Sequence, residues 1–169
     1  PDGPRMELGL VSDTHDDLEA VHAAVDLFDD RVDAVVHCGD FVAPFAVTPF
    51  DADFDFYAVR GNNDGEWGLA ETIDGFGTFF GEFGTLTMDD QEIAVYHGTS
   101  LELVEALVES GLYDYVLHGH THQRAHEASD GTIRLNPGGV PIDVDSDADP
   151  PAGVILDTDN GEVEFHDLT

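Results

Sequence analysis

The 169 residues carry 37 Asp and Glu against five Arg and no Lys, a formal net charge of −32 that repels a nucleic-acid backbone and excludes a general nucleic-acid binder. Apolar residues make up 41% of the chain and recur in short runs, so the acidity reads as the solvated, salt-adapted shell of a halophilic globular protein rather than as disorder. No apolar run approaches the roughly 20 residues of a membrane span, no secretory signal is visible, and the lone Cys38 allows no intrachain disulfide, which together suggest a cytoplasmic protein without a membrane partner.

The length suits a single domain spanning residues 1–169, with residues 1–5 a leader or frayed end before Met6. Residues 7–12 (ELGLVS) read as a buried strand. Asp16 or Asp17 then caps a helix whose core face is Leu18, Val21, His22, Val25 and Phe28. Residues 34–37 (AVVH) form a second strand and residues 54–59 (FDFYAV) a third. Strand, helix and strand at this spacing predict a layered α/β fold. In the second half, residues 85–88 and 91–96 flank Asp89-Asp90 as a hairpin. Thr99 and Glu102 form a capping box for a helix over residues 101–110, which stops at Gly111. A buried strand follows over residues 113–117, and two further hairpins turn at Asp130-Gly131 and Asn160-Gly161. Residues 143–151 (DVDSDADPP) read as a mobile acidic loop. The drift from α/β units to hairpins predicts two packed sheets with helices outside.

Five segments place candidate metal ligands just past a predicted strand: Asp13-Thr14-His15, Gly39-Asp40, Gly61-Asn62-Asn63-Asp64, Tyr96-His97-Gly98 and Gly119-His120-Thr121-His122. Functional groups of open α/β sheets gather beyond the carboxyl ends of the strands, so these segments are expected to meet although they are far apart in sequence. Each alone has an ordinary reading as a turn or a solvated loop. The three His within residues 118–122 are the strongest single signal, and the argument rests on all five together. Carboxylate, amide oxygen and imidazole suit Mn²⁺, Fe²⁺, Co²⁺, Ni²⁺ or Zn²⁺, and the absence of a thiolate set argues against a structural zinc site.

The set D-x-H, GD, GN-x-D, HG and GHTH resembles the calcineurin-like metallophosphoesterase superfamily, and most closely its small single-domain phosphodiesterases of bacteria and archaea. Asn136-Pro137-Gly138-Gly139 resembles an N-P-G turn of that subfamily. The resemblance implies an α/β sandwich of two mixed β-sheets flanked by helices in four layers. It also implies two divalent ions, Mn²⁺ or Ni²⁺ being favoured. Asp13, His15 and His122 would hold the first ion, Asn62, His97 and His120 the second, and Asp40 would bridge them. The implied activity is hydrolysis of a small organic phosphodiester by in-line attack of a hydroxide lying between the ions. The alternatives are a phosphomonoesterase or nucleotide pyrophosphohydrolase on the same ions, and a binding scaffold like the retromer subunit that shares the fold. A small phosphoester is the expected partner, and a homo-oligomer is left open.

One position departs from much of the superfamily. Where many members carry a His after the metal-binding Asn, this chain has Asn63. An amide binds a phosphoryl oxygen but does not protonate a leaving group at neutral pH, so Asn63 is a catalytic and substrate-binding candidate without acid function. Arg60 is a further candidate to clamp a phosphate, weighed against the more ordinary expectation of a salt bridge. His37 and His118 are expected to support or pack against the site, His22 to lie in the core, and His126 and His166 on the surface. Asp64 is expected to shape its loop or hold a ligand rather than bind metal.

Overall fold

The computed structural model describes residues 7–15, 17–64, 68–139 and 151–168. The predicted leader at residues 1–5, the alternative cap Asp16 and all but Pro151 of the acidic stretch 143–151 lie outside the described residues. The elements in order are β1 (Glu7–Val11), α1 (Leu18–Phe28), β2 (Ala34–His37), two short 3₁₀ turns (Pro44–Ala46 and Thr48–Phe50), β3 (Asp55–Ala58), α2 (Leu69–Asp74), β4 (Thr78–Phe79), β5 (Phe83–Met88), β6 (Gln91–Tyr96), α3 (Leu101–Glu109), β7 (Tyr115–Leu117), β8 (Arg124–Ser129), β9 (Thr132–Pro137), β10 (Ala152–Asp157) and β11 (Val163–Asp167).

Two mixed sheets result, in the α/β arrangement expected. One runs β11-β10-β1-β2-β3-β4, and the other β5-β6-β7-β9-β8. Strands β1 to β4 pair in parallel, as do β6-β7 and β7-β9, while the hairpins β5-β6, β8-β9 and β10-β11 and the pair β1-β10 are antiparallel. The period-2 alternation of a strand explains how one run of apolar residues serves two cores. Leu8, Leu10, Val36, Val154 and Leu156 face Ile93, Val95, Leu117 and Leu135 of the other sheet. Val11, Val35, Phe56 and Ile155 point the other way, onto Val21, Ala24 and Phe28 of α1 and Ile73 of α2. Gly9 is required there, because a Cβ on it would strike the Phe28 ring.

Several expectations need correction. The buried face of α1 is Ala20, Val21, Ala24 and Phe28. His22 is exposed rather than core, and Leu18 is 38% exposed. At 100° per residue His22 falls on the side of the helix away from this face and so points outward. The cap of α1 is Asp17, whose side chain accepts from Ala20 N at 3.1 Å. The cap of α3 is Ser100, accepting from Leu103 N at 3.3 Å, and not Thr99. Strand β7 starts at Tyr115, two residues later than expected, and α2, β4 and the 3₁₀ turns were not foreseen. The turns Asp89-Asp90 and Asp130-Gly131 both take positive φ at their two central residues (51° and 62°, 49° and 89°), the mirror-image geometry that tight hairpins favour. His126 is exposed and His166 half-buried.

Candidate metal centre

The turns after β1, β2, β3, β6 and β7 lie on one edge of the sandwich because their strands run parallel within each sheet. They are interlocked by main-chain bonds: Asp13 N to Gly39 O (2.9 Å), His15 N to Asp40 O (2.8 Å) and Gly119 N to His97 O (2.8 Å). Asp64 adds a clamp. Its buried carboxylate accepts from Asp40 N and Val42 N (both 2.7 Å) and from Gly61 N (2.8 Å), tying the β2 turn to the β3 turn. Burial pushes its pKa up, and the three N–H donors pull the other way. This is the loop-shaping place expected of Asp64. Glycines admit the close approach: a Cβ on Gly61 would overlap Asp40, and one on Gly119 would overlap Ser12 and Asp13.

These turns bring all seven sequence-predicted ligands together. Side-chain atoms of Asp13, His15 and His122 lie within 4.8 Å of one another, and so do those of Asp13, Asp40 and His97. His97 Nε2 is 2.9 Å from Asn62 Oδ1 and 3.5 Å from Asp40 Oδ2. His120 Nδ1 is 3.1 Å from Asn62 Oδ1 and 3.3 Å from His97 Nε2. Five of the seven adopt left-handed backbone: Asp13 (φ 52°), His15 (48°), Asp40 (65°), His120 (71°) and His122 (59°). Such strain costs on the order of 1–3 kcal/mol per residue and gathers at functional sites.

The chemistry of these atoms fits cations. Asp13 Oδ1 and His15 Nε2 are buried and meet no hydrogen-bond partner among the described residues, although a buried polar atom normally finds one. His97 Nδ1 donates to Cys38 O at 2.7 Å, so a neutral His97 turns only a lone pair towards Asn62 Oδ1. Asn62 Oδ1 and the His97 Nε2 lone pair therefore face each other at 2.9 Å, with His120 Nδ1 3.1 Å and 3.3 Å from them. A set of amide oxygen and imidazole nitrogens held this close would suit a shared divalent cation. Electrostatics agrees. Burial pushes Asp40 up, but the neighbouring His97 and two Asn63 donors outweigh it and hold the carboxyl below the usual range. Burial opposes the charge on His97, yet Asp40 and Asp13 raise its pKa overall, so this cluster of acidic groups favours a positive charge here. Burial, and then His97, lower His120.

The remaining sequence-predicted residues sit around this cluster. Asn63 gives its N–H to Asp40 Oδ1 and its Nδ2 to Asp40 Oδ2, each at 2.9 Å. His37 accepts from Gly39 N at Nδ1 (3.0 Å), which leaves the proton on Nε2 for Thr14 Oγ1 (2.9 Å). It thus joins the β1 and β2 turns, and burial drives its pKa down to about 3. Burial, helped by Arg134, lowers His118 to about 4. Arg60 is exposed and stands 5.5 Å above the Phe79 ring. Among the described residues it makes no ion pair, contrary to the salt bridge expected, because the unforeseen strand β4 sets an aromatic ring under it. A cleft of about 420 Å³ lined by Arg60, Asn62, Glu82, Tyr96 and Thr99 opens beside the cluster. Asn136 went unassigned in the sequence, where its only signal was the N-P-G turn. Fully buried, it donates to Thr121 Oγ1 (2.9 Å) and Gly119 O (3.3 Å) and so braces the turn that carries His120 and His122.

Two facing mixed sheets whose parallel strands end in one crevice of Asp, Asn and His define a metallophosphoesterase-type protein. The chain belongs to the calcineurin-like phosphoesterase superfamily, whose domain description matches residues 6–161; phosphoesterases of this superfamily use divalent metal ions. The chain is 38% identical over 138 residues to a phosphodiesterase of Methanocaldococcus jannaschii, covering 79% of this chain and 83% of that protein. The solved structure of an archaeal phosphodiesterase superposes with a TM-score of 0.86 at 35% identity, over 95% of this chain and 98% of that one. A single-mutant Vps29 from Entamoeba histolytica superposes with a TM-score of 0.70 at 18% identity, over 95% of this chain and 97% of that one, a likeness of fold alone.

Proposed function

We propose that the chain is a metal-dependent phosphodiesterase that hydrolyses a small organic phosphodiester. The observation that carries this reading is the pair of buried atoms Asp13 Oδ1 and His15 Nε2, which have no hydrogen-bond partner among the described residues, beside the facing acceptors of Asn62 and His97 with His120 Nδ1 next to them. Asp13, His15 and His122 are assigned to one divalent ion, Asn62, His97 and His120 to a second, and Asp40 to both. When bound, two such ions supply Lewis acidity, which makes a nucleophile of water near neutral pH and offsets charge building on the phosphoryl oxygens. The protein's own residues orient these groups. The Cys38 carbonyl holds His97 in the tautomer that keeps Nε2 free to ligate. Asn63 aligns both oxygens of Asp40, and its second amide proton remains for a phosphoryl oxygen. Arg60, at the wall of the cleft beside Asn62, offers an anionic substrate a guanidinium that no carboxylate of the described residues holds.

The diesterase reading, over a monoesterase or pyrophosphohydrolase, is supported by the names of the curated relative and of the solved structure, both phosphodiesterases. Imidazole ligands beside carboxylates favour Mn²⁺ or Ni²⁺ over Mg²⁺, with Fe²⁺, Co²⁺ and Zn²⁺ also suited. The same reading takes residues 1–169 as a single domain and, from the buried free thiol of Cys38, a reducing cytoplasm as its setting. A small phosphoester is its partner, without nucleic acid. Among the described residues no helix is long and apolar enough to cross a membrane. Elemental analysis and assays of chromogenic diesters and monoesters, before and after chelation, test the proposal. Expected are bound transition metal, near-total loss of diester hydrolysis in chelator, and restoration by Mn²⁺ or Ni²⁺ more readily than by Mg²⁺. Hydrolysis by pure protein that resists chelation overturns it.

A further inference from the structure

The peptide unit joining Gly119 to His120 links the two proposed ion sites. Its N–H donates to Asp13 Oδ2 at 2.8 Å. Its carbonyl, Gly119 O, lies 3.1 Å from His118 Nδ1 and accepts from Asn136 Nδ2 at 3.3 Å. Rotating this one peptide plane shifts His120 relative to Asp13, and those residues are assigned to different ions. His120 holds a strained φ of 71°, a conformation that persists only where its surroundings over-determine it.

Whether His118 contributes depends on which ring nitrogen carries its proton. His118 Nε2 stands 2.8 Å from Arg134 Nη1. A guanidinium only donates, so Nε2 accepts. The single proton of the neutral imidazole is then left on Nδ1 and is donated to Gly119 O. Arg134 is itself held by Glu127, directly opposite it in the β8–β9 register, at 2.7 Å. Among the described residues Arg134, with a side chain 23% exposed, makes no hydrogen bond or ion pair with a candidate ligand. We propose that Arg134 is a positioning residue of the metal centre: by setting the tautomer of His118, it locks the Gly119–His120 peptide plane and with it the spacing of His120 from Asp13. The proposal rests on the ion sites assigned above. Groups that orient metal ligands in this way typically change metal affinity by about ten- to a hundredfold when removed.

Nitrogen-15 histidine spectra of the metal-free protein read the tautomer, and calorimetric titration with Mn²⁺ alone reads the affinity. Wild-type His118 should carry its proton on Nδ1. In Arg134→Met, which removes the donor at similar length, His118 should shift wholly or partly to the Nε2–H form, and Mn²⁺ binding should weaken about tenfold or more. Arg134→Lys, whose ammonium also only donates, should restore both. A wild-type His118 protonated on Nε2 overturns the proposal whether or not any variant folds. An Arg134→Met protein that binds Mn²⁺ as wild type does also overturns it, as does one that loses affinity with its tautomer unchanged. Wild-type protein that binds neither Mn²⁺ nor, in parallel titrations, Ni²⁺, Co²⁺ or Zn²⁺ overturns the ion sites themselves, a result distinct from failure of the Arg134 proposal alone.

Discussion

At the scale of single residues, Asn63 has the most direct consequence for the chemistry. Its amide orients Asp40 but has no acid function, so the rate should depend steeply on the acidity of the leaving group, nitrophenyl diesters turning over far faster than alkyl diesters. Asn63→His brings a titratable proton to this position and gives up the Nδ2 bond to Asp40. It should raise the rate for poor leaving groups more than for good ones, by up to about 10²-fold, the lower range of general acid catalysis. The slope of log rate against leaving-group pKa decides: equally shallow slopes in both proteins mean that another group already supplies the proton. His37 gives a pH prediction. Its pKa is about 3 when folded and near 6.5 when unfolded, so the unfolded chain takes up a proton first as the pH falls. The stability it contributes is full above about pH 6.5 and is lost on acidification towards about 3. Metal-free wild type should therefore lose more thermal stability between pH 8 and pH 5 than His37→Gln, since carboxylate titration is common to both. Equal losses refute the buried neutral His37. The seven candidate ligands were legible in the sequence because each lies in a short segment at the end of an apolar run, a local signal. The brace from Asn136, the Phe79 ring under Arg60 and the link from Arg134 to His118 were not legible. Each depends on a pairing across strands that no local pattern records.

At the scale of elements, strands with an uninterrupted apolar run were readable, such as β1 and β2, because burial on both faces leaves no room for polar residues. Strand β4 has two residues and α2 has six, too few for either period to show. The start of α3 illustrates a different limit. Thr99 and Ser100 both carry a hydroxyl able to cap, and the docking of α3 on β7 and β9 decides between them. Ser100 takes the extended cap backbone, φ −108° and ψ 112°, and its side chain accepts from Leu103 N. Loss of such a cap costs about 1 kcal/mol, which in a protein of this size lowers Tm by about 2–4 °C. Ser100→Ala should show that drop in a thermal melt while Thr99→Ala leaves Tm near wild type. The reverse order places the helix start one residue earlier than the structure does.

At the scale of the whole molecule, the charge of −32 sets the conditions under which everything above operates. Three of the four described arginines are already neutralised: Arg31 by Glu164, Arg124 by Asp167 and Arg134 by Glu127. The remaining acidic surface has almost nothing to pair with, so like charges repel across the sandwich and favour the expanded chain. The screening length is about 10 Å at 0.1 M salt and about 3 Å at 1 M, so molar salt removes repulsion between all but adjacent carboxylates. Salt also weakens the arginine pairs, but exposed pairs contribute only about 0–1 kcal/mol each, and three of them do not offset repulsion summed over 37 acidic residues. The metal-free protein should therefore melt at progressively higher temperature as KCl rises from 0.05 M towards molar concentration. Keeping chelator present excludes any contribution from ions bound between Asp13 and His120. A charge-neutralising control separates screening from a general salting-out effect: replacing exposed acids far from the centre, such as Asp29, Asp30 and Asp53, which crowd one another within 4.8 Å, by Asn should raise Tm at low salt and have little effect at high salt. A melting temperature that stays flat or falls with added salt, or a triple variant whose gain is the same at both salt concentrations, defeats the idea that carboxylate repulsion limits this fold in dilute buffer.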